Sequence, residues 1–190
     1  MEEFFLNDFV ISMADKSNQK DLYNFQTKNH LEISPNDNIK QAQIRDIPIF
    51  LTRLIDVNIF VKVKFWILTR KEDRKTIVAS IGLEDDPKDK DSVELNTFSV
   101  CPSLRNKGIG TELLKYTLNK AKELGYKRVF LVSTNYMKVA WSLYTKFGFK
   151  KYDIIYIKVE KGISIVIKEE KEYNEYEGDK FTATYFELYL

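Results

Sequence analysis

The stretch that decides the fold runs from Glu94 to Thr111: Glu-Leu-Asn-Thr-Phe-Ser-Val-Cys-Pro-Ser-Leu-Arg-Asn-Lys-Gly-Ile-Gly-Thr. It predicts a strand, a short loop and the first turn of a helix, with Arg105, Gly108 and Gly110 forming an Arg-x-x-Gly-x-Gly motif. The first N–H groups of a helix have no intrahelical partner, and the helix dipole adds positive potential there. Glycine lets a ligand approach the backbone closely. The motif therefore predicts a phosphate-binding turn, although an ordinary glycine turn beside a solvated arginine has the same sequence.

The composition is that of an ordinary globular protein. The chain has 190 residues, 44% of them hydrophobic and 31% charged, with a net charge of +2. This length suits a single domain over residues 1–190, and the interleaved, nearly neutral charge gives no argument for a nucleic-acid partner. No apolar run approaches the ~18–20 residues of a membrane-spanning helix, and the acidic N-terminus does not resemble a signal peptide. We therefore expect no membrane partner, while the choice between a monomer and a homodimer stays open.

The chain contains one cysteine, Cys101, and one histidine, His30. A single cysteine excludes an intrachain disulfide and favours a reducing compartment, the cytoplasm, with the nucleus not excluded. These counts also exclude a Cys/His metal cage, and a conventional catalytic triad unless His30 meets Cys101 or a serine. We expect Cys101 to be an inert thiol and His30 to be a surface residue, and we expect no metal.

The N-terminal part of the chain predicts a strand, two helices and a longer strand. Residues 9–13 form the first strand, and residues 16–57 form the helices. Ser34, followed by proline, is the predicted N-cap of one helix, and Asp46 begins a second helix-start signal, Asp46-Ile47-Pro48. Residues 58–70 alternate apolar and mixed positions, which predicts a half-buried strand.

The strand over residues 92–100 changes its apolar parity midway. Its apolar residues occupy odd positions up to Leu95 and even positions from Phe98. Because side chains alternate strictly along a strand, this switch predicts a β-bulge near Asn96-Thr97. A strand buried on both faces would explain the parity equally well.

The remaining elements follow from apolar periodicity and from glycine stops. The helix after Arg105 has the clearest apolar face and ends at Gly125. The charged segment 168–179 is most simply an exposed loop. The other predicted elements are a helix over 137–147 and strands over 76–83, 128–133, 154–159, 163–167 and 181–190.

A second motif, Ala140-x-x-x-Tyr144-x-x-x-Gly148-Phe149, lies on the predicted helix over 137–147. Together with the Arg-x-x-Gly-x-Gly motif and the order of elements, it resembles the GNAT superfamily of N-acetyltransferases. The resemblance implies an α/β (α+β) fold with a GNAT-like mixed, mostly antiparallel central sheet of about seven strands flanked by four helices. It also implies acetyl-CoA (CoA) as the cofactor.

The resemblance also suggests which residues meet the cofactor. The pyrophosphate would lie on the backbone N–H groups of the glycine turn, and the pantetheine arm would pair with the backbone of Phe98 and Val100. Many members carry Asn three residues before the motif alanine, whereas this chain has Met137 there and Asn135 two residues earlier. The expected cofactor-binding residues are Phe98, Ser99, Val100, Arg105, Asn106, Lys107, Gly108, Ile109, Gly110, Thr111 and Asn135.

Two residues are candidates for acid–base chemistry. Glu94 lies eleven residues before Arg105, close to the spacing at which histone-acetylating members carry a general base. Tyr144 occupies the usual general-acid position of the family. The alternatives are an ordinary strand carboxylate and a half-buried helix tyrosine. The Phe98 N–H is a further candidate for holding the thioester carbonyl oxygen.

These observations predict an acetyl-CoA-dependent N-acetyltransferase in which a primary amine attacks directly in a ternary complex. A protein lysine, a peptide N-terminus and a small amine are unranked acceptors. The alternative is a catalytically silent CoA-binding sensor or scaffold, suggested by Met137 and the charged segment. A nucleotide- or phosphate-binding protein of another fold is disfavoured, because the turn lacks the Gly-Lys-Ser/Thr ending of a P-loop.

Overall fold

The computed structural model of the protein describes residues 4–6, 8–42, 63–167 and 178–190. The strands are β1 (Phe4–Leu6), β2 (Phe9–Met13), β3 (Val63–Arg70), β4 (Ile77–Asp85), β5 (Ser92–Val100), β6 (Arg128–Thr134), β7 (Lys150–Glu160), β8 (Ile163–Ile167) and β9 (Lys180–Tyr189). The helices are α1 (Gln19–Ile33), α2 (residues 37–42), α3 (Ile109–Glu123) and α4 (Lys138–Lys146).

The strands that the structure describes form one mixed sheet. Its nine strands lie in the order β1-β2-β3-β4-β5-β6-β9-β7-β8. β5 and β6 pair in parallel, and the other neighbouring pairs are antiparallel. The predicted fold class is confirmed, with two strands more than the expected number of about seven. β1, which pairs with β2, was not predicted.

Around β3 both faces of the sheet are covered, by different helices. On one face, Trp66 of β3 belongs to the main core together with Leu113 of α3. On the other face, Phe65 of β3 belongs to a second core together with Leu22 of α1. The prediction that this strand is half-buried is therefore wrong for the described residues 63–70. Alternation alone cannot reveal a second helical layer, since that layer comes from a distant part of the chain.

β5 carries the predicted bulge. Gly82 of β4 pairs with Asn96, but Ser80 pairs with Ser99, so β5 has one residue more than β4 in this interval. Thr97 adopts a φ of 50°, in the left-handed region. The bulge near Asn96-Thr97 is confirmed, and it turns Phe98 and Val100 toward the main core.

A cleft opens between β5 and β6. The two strands pair only from Ser92 to Glu94, opposite Arg128 to Phe130. Beyond Glu94 they diverge, so the edge of β5 from Leu95 to Val100 has no strand partner on this side among the described residues. The first turn of α3 lies against the far end of that edge.

One predicted helix start is wrong. Ser34 ends α1 in an extended conformation (φ −64°, ψ 127°), because a following proline disfavours helical geometry. Asn36 caps α2 instead, and its Oδ1 accepts a hydrogen bond from the Ile39 N–H at 2.9 Å. The predicted start at Asp46, residues 58–62 of the predicted strand and most of the charged segment lie outside the described residues.

Candidate functional site

The N-terminus of α3 presents backbone N–H groups to open space. Gly108 is the N-cap, with φ 81°, and among the described residues no side chain caps the helix. The N–H groups of Ile109, Gly110 and Thr111 therefore lack intrahelical partners. A Cβ placed on Gly108 would have no heavy atom of the described part of the chain within 4 Å. This arrangement favours an anion at the turn.

The two motif glycines have different roles. Gly108 is needed for its left-handed backbone, which L side chains rarely adopt. Gly110 brings the helix start close to β5, because a Cβ there would lie 3.5 Å from Phe98 Cζ and 3.6 Å from Val100 Cγ2. These are ordinary van der Waals distances, so the fold has room for an alanine at position 110.

The edge of β5 directs backbone groups into the cleft. The Cys101 N–H donates to Val78 O on β4 at 2.8 Å. Because backbone groups alternate between the two edges of a strand, those of Val100 and Phe98 face the other edge, toward β6. The side chain of Ser99 points to the face of the sheet that α1 covers, where its Oγ donates to Gln26 Oε1 at 3.2 Å.

The cationic residues of the turn differ in their surroundings. Arg105 is half-buried: its Nε donates to Val100 O at 3.0 Å, and its Nη2 donates to Asn29 Oδ1 at 3.3 Å. Its guanidinium thus anchors the loop to β5 and α1. Lys107 and Asn106 are exposed, and Lys107 adds positive charge beside the uncapped N–H groups.

Glu94 lies at the point where the cleft begins. It is the last residue of β5 that pairs on both sides, with Glu84 of β4 and Phe130 of β6. Val93 and Leu95 belong to the main core, so the Glu94 side chain points to the opposite face, which α1 partly covers. Glu94 is half-buried there.

Tyr144 belongs to α4 and faces the main core, on the other face of the sheet. Its ring centroid is 6.4 Å from that of Phe98, 5.8 Å from that of Phe149 and 5.9 Å from that of Phe186. Burial raises the pKa of Tyr144 well above its usual value, because a phenolate is poorly solvated among aromatic rings. The hydroxyl therefore stays protonated at neutral pH. Tyr144 and Glu94 approach the β5–β6 opening from opposite faces of the sheet and do not contact each other.

Asn135 and Met137 occupy the start of α4. Asn135 is only 1% exposed, and its N–H donates to Thr182 O at 3.0 Å. Met137 is the N-cap of α4, and its Sδ accepts a hydrogen bond from Ser133 Oγ at 3.8 Å. This burial favours a supporting role for Asn135, whose contact with the cofactor stays a prediction.

His30 is half-buried on α1, so its assignment as a surface residue is wrong. Burial lowers the pKa of His30, which favours the neutral imidazole at neutral pH. The extent of its burial is set by tertiary packing, which the local sequence does not encode.

Sequence reasoning missed two residues that border the site. Glu84 lies directly opposite Glu94, because β4 extends two residues past its predicted end. Counting the register from the bulge would have found it. Gln26 of α1 reaches the bulge of β5, and no local sequence signal predicts a contact over that separation.

The described residues show neither of two other kinds of site. No group of three or more His, Cys, Asp or Glu residues there is placed to hold a metal ion. None of the helices among them combines the length and apolar character that crossing a membrane requires.

Comparisons with known proteins agree with this geometry. Over 104 residues the chain is 31% identical to N-acetyltransferase family 8 member 2 of Rattus norvegicus, a match to 53% of this chain and 46% of that protein. The chain thus spans less than half the length of this relative.

Two solved structures share the fold. A GNAT family acetyltransferase from Elizabethkingia anophelis with acetyl-CoA bound has a TM-score of 0.59 at 18% identity, over 97% of this chain and 100% of that chain. Spermidine N-acetyltransferase from Vibrio cholerae, in complex with CoA and spermine, has a TM-score of 0.63 at 11% identity, over 97% of this chain and 96% of that chain. The family model for the acetyltransferase (GNAT) family matches residues 31–149, more than half of the chain and nearly all of the elements that form the site. The chain therefore belongs to the GNAT acetyltransferase family.

Proposed function

We propose that residues 1–190 form a single N-acetyltransferase domain that transfers the acetyl group of acetyl-CoA to a primary amine in a ternary complex. The observation that carries this proposal is the meeting of three features at one opening of the sheet. These are the glycine-capped start of α3, the edge of β5 that pairs with no described strand, and the side chains of Glu94 and Tyr144 on opposite faces.

The residues at the opening fit a phosphorylated thioester. The N–H groups of Ile109 to Thr111 are donors for a pyrophosphate, with Lys107 nearby. The cleft-facing N–H and C=O of Phe98 and the N–H of Val100 offer the pairing groups of a strand edge to an amide-containing arm, while the Val100 carbonyl accepts from Arg105 Nε. Acetyl-CoA supplies the activated acetyl group, and the chain supplies binding, orientation and proton transfer.

Glu94 is proposed as the proton acceptor on the acceptor side. An alkylamine is largely protonated at neutral pH and attacks only after losing a proton. Glu94 lies at the vertex of the cleft, with Glu84 directly across the strand pair. Two carboxylates on one face favour a cationic amine over a neutral or anionic acceptor.

Tyr144 is proposed as the proton donor on the cofactor side. A neutral phenol can give its proton to the sulfur that leaves as the amine attacks. Apolar surroundings also disfavour a thiolate, so the high pKa of Tyr144 does not prevent the transfer. The aromatic rings around Tyr144 hold its ring in one position.

The test is transfer of a labelled acetyl group from acetyl-CoA to pools of amines, with peptides, amino acids and polyamines in separate pools. We expect transfer to at least one pool. A parent protein that binds CoA but transfers to none would favour the alternative, a silent CoA-binding sensor or scaffold. Met137 in place of the family asparagine, with Asn135 buried, is the observation that keeps this alternative. A nucleotide-binding protein of another fold is excluded by the family assignment.

A further inference from the structure

A buried polar cluster joins α1 to the bulge of β5. Gln26 is fully buried on α1, with 0% exposure. Its Nε2 donates to Thr97 O at 2.6 Å and also to Ser80 Oγ. Ser80 Oγ in turn donates to Thr97 O at 3.0 Å, and Ser99 Oγ donates to Gln26 Oε1 at 3.2 Å. A single amide side chain thus connects two strands at the point where the bulge begins.

The bulge needs such a connection because its backbone is unfavourable. Thr97 has a φ of 50°, and a β-branched residue in the left-handed region is a genuine outlier. Conformations of this kind persist only when the surroundings over-determine them. The two hydrogen bonds accepted by Thr97 O, from Gln26 and Ser80, supply that constraint.

The same helix also holds the other end of the cleft edge. One turn beyond Gln26, the Oδ1 of buried Asn29 accepts a hydrogen bond from Arg105 Nη2 at 3.3 Å. Arg105 Nε donates to Val100 O at 3.0 Å. α1 therefore holds the segment between Thr97 and Val100 at both ends, although it contributes no residue to the cleft edge itself.

We propose that Gln26 is a positioning residue for the acyl donor. By fixing the carbonyl of Thr97, it sets the direction of the Phe98 and Val100 backbone groups that face the cleft. This inference rests on the proposed function, since it concerns binding of acetyl-CoA. The competing explanation is that Gln26 only packs α1 onto the sheet.

The test compares Gln26→Met with the parent protein. Methionine keeps the length of the side chain but removes every amide hydrogen bond. We expect the Kd for CoA and the KM for acetyl-CoA to rise about tenfold, the effect of one or two lost hydrogen bonds, with the acceptor KM unchanged. In the unliganded protein, the amide of Cys101, bonded to β4 just beyond the bulge, should exchange its hydrogen faster.

Leu22→Ala is the matched control. Leu22 is fully buried on the same helix and belongs to the α1 core rather than to the polar cluster. We expect it to lower the melting temperature while leaving CoA affinity unchanged. If Leu22→Ala weakens CoA binding as much as Gln26→Met does, the role of Gln26 is only to pack the helix.

Thr97→Gly tests the mechanism through the bulge itself. Glycine adopts a φ of 50° without strain, so Gln26→Met should cost less CoA affinity in the Thr97→Gly background. An equal loss in both backgrounds would contradict the proposal. If Gln26→Met does not fold, Ser80→Ala removes one of the two bonds to Thr97 O and should weaken CoA binding in the same direction.

The outcomes separate the two claims. A parent protein that does not bind CoA would overturn the proposed function. A parent that binds CoA, with Gln26→Met and Ser80→Ala binding equally well, would overturn only the role of Gln26.

Discussion

The two ends of β5 lie in different surroundings. From Ser92 to Glu94 the strand pairs with β4 on one side and with β6 on the other. From Leu95 to Val100 it pairs with β4 alone among the described residues, and a bulge interrupts even that pairing. Both ends are parts of one strand of nine residues.

This difference shows how one strand can serve both the core and a binding site. The first end is fixed by the ladder on both of its sides. One edge of the second end has no strand partner among the described residues, and contacts from α1 and Arg105 reach this end. Glu94 lies at the boundary, where a side chain is held by the ladder yet still borders the cleft. Each of the following changes tests one part of this contrast.

The largest expected effect comes from Gly108→Asp at the far end of the cleft. Aspartate tolerates the left-handed backbone better than most residues, so the fold should persist at a cost of about 1 kcal/mol. Its carboxylate would place negative charge where a pyrophosphate should bind, so we expect CoA binding to be lost. Calorimetry with CoA, together with a melting curve, measures both effects.

Gly108→Asn is the matched control for this change, since it has the same shape and backbone demand but no charge. It should retain measurable CoA binding. If Gly108→Asp binds CoA as well as Gly108→Asn does, the turn does not bind a phosphate.

Glu94→Gln should reduce turnover at neutral pH by about a hundredfold, the range of general-base catalysis. Glutamine keeps the size and strand geometry but cannot take a proton. The rate should recover partly as pH rises, because solution then supplies more neutral amine. Steady-state rates from pH 6 to 10 measure this, and CoA affinity should not change.

Glu84→Gln, on the same face but one strand further from the cleft, is the control. It should change turnover by only a few-fold, through the local charge. If the two variants lose turnover equally, the effect comes from the negative charge on this face of the sheet rather than from a general base. If Glu94→Gln turns over at the parent's rate at every pH, the general base is another group.

Tyr144→Phe should lower turnover by about ten- to a hundredfold, at the low end for acid–base catalysis. The aromatic packing remains, so CoA affinity should change little. Burial raises the pKa of Tyr144 above about 10, the ordinary value for tyrosine. The Tyr144 hydroxyl should therefore remain protonated in the parent up to about pH 10, and turnover should not fall through loss of this proton over that range.

Tyr116→Phe on α3 is the control for Tyr144→Phe. Tyr116 lies edge-on to Trp66, with ring centroids 6.2 Å apart, away from the cleft. Its variant should turn over like the parent. Parent-like turnover in Tyr144→Phe as well would reduce Tyr144 to a packing residue.

Local sequence patterns predicted the elements on which this contrast depends. The parity change of β5 located the bulge, and the two motifs located α3 and α4, because periodicity and glycine stops are short-range signals. The same patterns could not predict that β3 is buried on both faces or that His30 is half-buried. The burial of the second face of β3 comes from α1 packing across the sheet, and the burial of His30 is likewise set by tertiary packing.

The contacts that shape the cleft were also beyond reach from sequence. Gln26 and Thr97 are far apart in the chain, and neither residue belongs to a recognisable motif. Glu84 was missed because the predicted strand ended at residue 83, two residues before the observed end of β4, so its pairing with Glu94 was not considered. Long-range polar contacts and exact strand ends are the features that local propensity specifies least.

The most direct test of this account is amide hydrogen exchange along β5 with and without CoA. We predict that CoA slows exchange of the Phe98 and Val100 amides by about tenfold or more, while the amides of Val93 and Glu94, where β5 is paired on both sides, change little. Protection confined to the first end of β5, or CoA binding with no change at Phe98 and Val100, would contradict the claim that the open edge of β5 binds the acyl donor.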